Sequence, residues 1–141
     1  MVSAYEEFAL KALREAGYRI TMPRVQVIRV LAGTKCALSA YAIHEMIISG
    51  GGKIDVVSVY RILSTLQEVG VVMHIGVVDG YFPQQVAGLN SRCTEVIVNE
   101  ETNDVVELKL PQVVKDEIGK QAAEQGFDIS TLKIEIVAKP K

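Results

Sequence analysis

The sequence predicts an α+β protein in which a winged helix-turn-helix domain, residues 1–85, is followed by a small α/β dimerisation domain, residues 86–141. Two observations support this prediction. Helical periodicity dominates the chain as far as Gly70, and the alternation of short β-strands replaces it afterwards. A polar segment with Gly and Asn at residues 84–91 then separates two groups of predicted elements and reads as a hinge. A chain of 141 residues has room for one ordinary domain or for two small ones.

Three helices are predicted first, each from an apolar stripe. The first covers residues 5–16. The second follows Thr21, a good N-cap, and tolerates Pro23 because a first-turn N–H has no helical partner. The third begins at Ser39, another N-cap, and ends at the glycines of residues 50–52. These glycines lack the spacing of a phosphate-binding loop, so they predict only a turn.

The fourth predicted helix, residues 55–70, has two faces, with Asp55 able to cap its start and Gly70 able to end it. The buried stripe consists of Val59, Ile62, Leu63, Leu66 and Val69. The opposite stripe consists of Val57, Tyr60, Arg61 and Ser64. A short helix that presents Tyr and Arg from its first turns suits the major groove of DNA, although an ordinary surface helix would show the same pattern.

Strands dominate the rest of the chain. Residues 71–77 and 81–83, joined by a turn at Asp79-Gly80, predict a β-hairpin, and three helices followed by a hairpin form a winged helix-turn-helix. Further on, the patterns predict strands at 95–98, 105–110 and 132–137 and a helix at 111–125. About 50 residues bury too little apolar surface to be stable alone, so we expect a second copy of the chain to complete this domain in a homodimer.

Composition and charge exclude several classes of protein. The net charge is −2, but the first 85 residues hold 8 basic and 7 acidic residues, so the acidity lies in the C-terminal part. Four basic residues, Arg19, Arg24, Lys53 and Arg61, can still form a basic face. No membrane-spanning stretch or export signal occurs, which predicts a cytoplasmic protein. The two cysteines are isolated, and no nucleophile–base pair, carboxylate cluster or cofactor motif indicates an enzyme.

Four stretches resemble one known family. They are Leu-Arg-Glu-Ala-Gly-Tyr-Arg-Ile-Thr-Met-Pro-Arg (residues 13–24), Leu-Ser-Ala (38–40), and Ser-Val-Tyr-Arg-Ile-Leu (58–63) with Val-Gly-Val-Val (69–72). In sequence and spacing the N-terminal 85 residues are similar to the ferric uptake regulator (Fur) family. The resemblance implies a dimeric transcription regulator that binds double-stranded DNA at A·T-rich palindromic operators.

The resemblance also implies roles for individual residues. Tyr60 would contact a base, with a thymine methyl group as the expected partner. Arg61 and Arg24 would hold phosphates, and Arg19 would reach the minor groove. These roles suit the chemistry, because a guanidinium pairs with phosphate in a bidentate manner and is attracted to a narrow A·T-rich minor groove. Val57 and Ser58 are weaker candidates for DNA contacts.

The chain departs from the family where the family binds metal. Ala37 and Pro83 stand in place of a His and a Glu, the His-rich run corresponds to residues 91–95, a C-x-x-C region to residues 98–101, and a late His to about Leu132. Our leading hypothesis is therefore a regulator without a bound metal or other cofactor, its inducing signal unknown. One alternative is a metal-responsive repressor with a substitute site from Cys36, His74, Cys93, Glu95 or Glu107. Another is a protein-interaction scaffold that no longer binds DNA.

Overall fold

The computed structural model describes residues 2–84 and 95–141. The predicted α+β class is confirmed, and the elements follow one another in the predicted order. The helices are α1 (Ala4–Glu15), α2 (Met22–Ala32), α3 (Ala40–Ser49), α4 (Val56–Glu68) and α5 (Gln112–Glu124). The strands are β1 (Val72–Ile75), β2 (Gly80–Pro83), β3 (Glu95–Asn99), β4 (Val105–Glu107) and β5 (Ile134–Ala138).

The predicted helix caps are confirmed. The hydroxyl of Thr21 accepts from the N–H of Arg24 at 3.4 Å, and that of Ser39 accepts from the N–H of Ala42 at 3.0 Å. Asp55 caps α4 in the same way. Each cap satisfies an N–H group that the helix itself leaves without a partner, which fixes where the helix begins.

Helices α1 to α4 pack with the two-stranded hairpin around one apolar core. Its fully buried members include Leu13, Val27, Ile28, Leu31, Ile43, Val59, Leu63, Leu66 and Val71. Tyr5 from α1 closes this core, because its hydroxyl donates to the main-chain carbonyl oxygen of Val71 at 2.5 Å. Burial raises the pKa of the Tyr5 phenol well above its usual value.

The hairpin differs from the prediction in its turn. The prediction places a turn at Asp79-Gly80 after a strand over residues 71–77, whereas β1 ends at Ile75 and a single turn of 3-10 helix, Gly76–Val78, precedes Asp79. Asp79 then adopts a left-handed conformation, with φ of 47°. Its carboxylate lies 2.8 Å from Nε2 of His74 on β1, which closes the turn from the side.

The C-terminal strands form a three-stranded sheet in the order β4-β3-β5. The β3 and β4 strands are antiparallel, whereas β3 and β5 are parallel and are connected through α5. The ammonium group of Lys115 on α5 lies 2.8 Å from the carboxylate of the buried Glu95 on β3. None of the residues of α5 is buried.

The hairpin and the C-terminal sheet pack against each other, which was not predicted. Ala37, Ile75, Val96 and Val98 form a second buried apolar cluster. Gly80 lies so close to the segment before α3 that a Cβ atom there would come within 2.8 Å of the Cβ of Ala37. The predicted hinge, apart from Gln84, and the predicted boundary between residues 85 and 86 lie outside the described residues.

Candidate nucleic-acid interface

The α4 helix presents two faces, as its sequence predicts. Oδ1 of Asp55 accepts from the N–H of Ser58 at 2.7 Å and caps the helix. The inner face is formed by Val59, Ile62, Leu63 and Leu66, all buried. On the outer face Val57 is 55% exposed and Tyr60 is 39% exposed. Arg61 and Ser64 are exposed as well, and Ser58 is half-buried, so five side chains of one short helix are accessible to a partner.

A cleft of about 680 Å³ lies between the N-terminal ends of α2 and α4. Arg24, Lys53 and Arg61 supply three cations to its lining, and Asp55 supplies one carboxylate. The N–H of Ser58 keeps the pKa of Asp55 below its usual value, with smaller contributions from the Ser58 hydroxyl and the Arg61 charge. Asp55 is therefore ionised near neutral pH, and the cleft still has an excess of two positive charges, which suits an anionic partner.

Arg24 is held in place by its neighbours. Its Nη1 donates to the carbonyl oxygen of Arg19 at 2.7 Å, and its guanidinium carbon lies 5.3 Å from the centre of the Tyr18 ring. The Tyr18 hydroxyl in turn donates to Glu68 at 2.8 Å. That hydrogen bond is the main cause of the raised pKa of Tyr18. The guanidinium is thus oriented before any partner binds.

Arg19 lies in the connection between α1 and α2, where it is exposed. Its carbonyl oxygen is used by Arg24, while its side chain projects from the same connection. The structure therefore brings Arg24 and Arg61 to one cleft, and the main chain of Arg19 contacts the Arg24 guanidinium.

Tyr41 is a feature that the sequence reasoning did not single out. It occupies the first turn of α3 and is 64% exposed. Its ring meets the Tyr60 ring edge-on, with 6.2 Å between the ring centres and an angle of 86° between their planes. The sequence signal is a tyrosine two positions after the N-cap Ser39, and no other Phe, Tyr or Trp occurs in this helix.

The loop between α3 and α4 is tightly fixed. A ring nitrogen of His44 lies 2.8 Å from the carbonyl oxygen of Ile54 and bonds to it as an N–H donor. A Cβ atom at Gly52 would come within 2.6 Å of the Ile47 side chain, so this position requires glycine. His44 therefore has a structural role, and Lys53 projects from a short loop of defined shape.

Two of the positions where the family resemblance implies metal ligands, Ala37 and Pro83, carry no side chain that could bind a metal. Ala37 is buried against the apolar cluster, and Pro83 offers no donor group on β2. Among residues 2–84 and 95–141, no three His, Cys, Asp or Glu side chains converge as metal ligands do.

The described residues of the alternative, substitute metal site each have a separate environment. His74 pairs with Asp79, and Glu95 pairs with Lys115. Cys36 lies next to the Thr34 hydroxyl, at 3.4 Å, and Glu107 is exposed on β4. Cys93 lies outside the described residues.

Within the part of the chain that the structure describes, no helix has the length and apolar character that crossing a bilayer requires.

Comparisons with known proteins agree with this geometry. The sequence profile of the ferric uptake regulator family matches residues 15–137. The ferric uptake regulation protein of Pseudomonas fluorescens is 26% identical over 118 residues, which are 83% of this chain and 94% of that protein. The ferric uptake regulation protein of Yersinia pestis is 35% identical over 63 residues, which are 44% of this chain and 43% of that protein.

A solved structure of a zinc uptake regulator complexed with zinc and DNA superposes with a TM-score of 0.80 at 21% identity. The match covers 98% of this chain and 93% of that chain. At this level of identity the likeness establishes the fold.

Proposed function

The chain belongs to the ferric uptake regulator family, and we therefore propose that it controls transcription by binding A·T-rich palindromic operators as a homodimer, without a bound metal. Members of this family are transcription regulators that bind DNA, not enzymes. We expect the protein in the cytoplasm, where it would meet its operators.

The cationic cleft beside α4 is the observation that supports this proposal most directly. Arg24, Lys53 and Arg61 line one concave surface, and DNA phosphates are bound mainly by such clustered cations. The exposed face of α4 continues from this cleft through Arg61. A phosphate held in the cleft would bring the neighbouring base edges to that face of the helix.

We assign base contacts to the outer face of α4. Tyr60 is the main candidate, since its ring can contact a thymine methyl group, and Val57 and Ser58 lie within one turn of it. Arg61 and Arg24 would bind phosphates, and the exposed Arg19 would enter the adjacent minor groove. In this assignment the phosphate contacts set the register and α4 supplies the specificity.

The C-terminal part supports the dimer. None of the residues of α5 is buried, and Val113 on this helix is 71% exposed. The following Phe127 is 70% exposed, and Val106 and Val137 on the two edge strands of the sheet are also exposed. So much exposed apolar surface around a three-stranded sheet is unusual for a monomer. A second copy related by a two-fold axis would cover it and would present two α4 helices to a palindrome.

The test begins with the metal content. The purified dimer is treated exhaustively with a chelator, and its metal content is measured by elemental analysis. Duplexes are then selected from a random library with the chelated protein. Binding constants for the selected duplex are measured against salt concentration for the wild type, Arg61→Ala and the control Arg14→Ala, which removes an exposed arginine from α1.

We expect folded, metal-free protein that selects A·T-rich palindromes. Affinity should fall steeply with salt, and Arg61→Ala should reduce the slope of log K against log salt by about 0.9, the value for one lost phosphate contact. Arg14→Ala should leave the slope unchanged. A metal whose removal abolishes binding would instead support a metal-responsive regulator with a non-standard site, and selection of no duplex would support a protein-interaction scaffold.

A further inference from the structure

The turn of the hairpin is held by two side chains from the end of the chain. The N–H of Val77 donates to Oε1 of Glu135 at 3.0 Å. Nζ of Lys133 donates to the carbonyl oxygen of His74 and lies 2.8 Å from Oε2 of Glu135. Two linked charges therefore bind the main chain just before the 3-10 turn, at His74, and within it, at Val77.

This contact joins parts of the chain that are far apart in sequence. Glu135 is 58 residues from Val77, and Lys133 is 59 residues from His74. The Glu135 side chain is only 12% exposed. A carboxylate that is largely removed from water and bonded to a main-chain N–H is costly to separate from its partners, so the contact is more than a flexible surface ion pair.

Other contacts run beside this pair. The N–H of Ala37 donates to the carbonyl oxygen of Asn103 at 2.9 Å, and that of Val105 donates to the carbonyl oxygen of Lys35 at 3.1 Å. The buried cluster of Ala37, Ile75, Val96 and Val98 lies in the same contact region. The apolar cluster supplies attraction without direction, whereas the two main-chain hydrogen bonds and the bonds of Lys133 and Glu135 have defined directions, and the bonds of Lys133 and Glu135 hold the hairpin at its turn.

We propose that Lys133 and Glu135 are positioning residues for DNA binding, which fix the orientation of the winged helix-turn-helix relative to the sheet that carries the dimer contacts. This inference rests on the proposed function. In a two-fold dimer bound to a palindrome, the two α4 helices lie one helical repeat of DNA apart, about 34 Å, or a multiple of it. Each α4 is connected to the partner chain through the hairpin and the C-terminal sheet. A looser contact between the hairpin and the sheet therefore makes the separation of the two α4 helices variable.

The first test needs no DNA. Spin labels are attached at Ser64→Cys on α4 and Glu124→Cys on α5, in a chain whose two native cysteines are replaced by serine. Labelled chains are mixed with an excess of unlabelled chains, so that one protomer of each labelled dimer carries both labels, and the wild-type background should then give one narrow distance distribution. The double variant Lys133→Met/Glu135→Ala should give a broad one, and the control Lys139→Met, which removes a lysine from the other end of β5, should remain narrow. Equal widths in all three proteins would overturn the inference.

The second test uses the duplex selected by the wild-type protein, a single half-site from it, and a version with the half-sites moved apart by about two base pairs. The double variant should bind the intact palindrome about tenfold more weakly than the wild type, because linkage of the two half-sites is lost. Its affinity for the half-site and its salt slope should be unchanged, and its discrimination against the altered spacing should fall. Glu135→Gln, which keeps an acceptor for the Val77 N–H, should restore part of the loss.

These outcomes separate the two proposals. A wild-type protein that selects no duplex contradicts the proposed function, while the distance measurement still reports on the contact itself. A variant that binds all three duplexes more weakly by the same factor would indicate simple destabilisation and would contradict the positioning role.

Discussion

Arg24 donates a hydrogen bond from Nη1 to the main-chain carbonyl oxygen of Arg19, at 2.7 Å, while its guanidinium lies over the Tyr18 ring. The bond fixes the Arg24 guanidinium against the main chain of the connection that carries Arg19, so Arg24 is oriented before a partner binds. Orientation before binding lowers the entropy that a complex must lose.

The first prediction concerns the shape of this cation. Arg24→Lys keeps the charge but loses the planar group that both stacks and donates in two directions. We expect duplex affinity to fall several-fold, in line with about 1 kcal/mol for one hydrogen bond, with an unchanged salt slope. Arg24→Ala should lower both the affinity and the slope. If Arg24→Lys binds like the wild type, charge alone accounts for the contribution of this residue.

The second prediction concerns the carboxylate in the cleft. Asp55→Asn keeps an N-cap side chain for α4 and removes a negative charge from the site where a phosphate would bind. We expect tighter duplex binding, by several-fold at low salt, measured by fluorescence anisotropy. The matched control is Asp116→Asn, which neutralises an exposed carboxylate of α5 and should leave the affinity unchanged. Weaker binding by Asp55→Asn would mean that the cleft does not hold DNA phosphate.

The third prediction concerns the aromatic pair. Because the Tyr41 ring packs edge-on against Tyr60, its removal should leave the Tyr60 ring less well oriented. An aromatic pair of this geometry contributes about 0.5–1.5 kcal/mol. Tyr41→Ala should therefore lower the affinity for the selected duplex about two- to tenfold, with a smaller effect on a scrambled duplex. Tyr41→Phe keeps the ring and should bind like the wild type, and a large loss in that variant would point to a role for the hydroxyl instead.

Local signals predicted the part of the fold that local interactions determine. The caps at Thr21, Ser39 and Asp55 are bonds between residues three positions apart, and the two stripes of α4 follow from helical geometry alone. The sequence therefore identified which side chains of α4 are exposed and which are buried. The Asp79-Gly80 signal located the turn of the hairpin but not the 3-10 helix before it, because the signal is short, whereas the observed turn is also bonded to Glu135 from a distant strand.

Long-range contacts had no comparable signal. The edge-on contact of Tyr41 with Tyr60 depends on how α3 crosses α4, and the contact of Ala37 with Gly80 depends on how the hairpin folds back. Alternation predicted β3 and β5 as strands but carries no information on which strands pair or in which direction. Their parallel pairing follows from the crossover through α5.

The fourth prediction concerns Tyr5. Tyr5→Phe removes the hydrogen bond to the carbonyl oxygen of Val71, which keeps a second donor in the N–H of Gln84. The variant should therefore lose only about 1 kcal/mol of unfolding free energy, measured by urea denaturation at pH 7. Since the pKa of Tyr5 is raised in the folded protein, its contribution is complete below the pKa of an unfolded tyrosine and is lost as the pH rises. The difference between the two proteins should shrink above about pH 10, and a constant difference would contradict the buried state of the phenol.

The last prediction concerns the pH dependence of the hairpin contact. Burial raises the pKa of Glu135, but the hydrogen bonds from Lys133 and from the N–H groups of Val77 and Gly76 outweigh it, so the net pKa lies below the usual value. A lowered carboxyl pKa stabilises the folded state fully above the pKa of the unfolded chain, about 4.3, and this contribution is lost as the pH falls through the folded value. Glu135→Gln should therefore be less stable than the wild type at pH 7, and the gap should close as the pH falls below about 4.5. Urea denaturation between pH 7 and pH 3 measures the gap, with Glu124→Gln on the exposed surface of α5 as the control that shows none. A gap that widens at low pH would mean that the Glu135 carboxylate is destabilised in the fold and that Lys133 and the turn do not hold it as described.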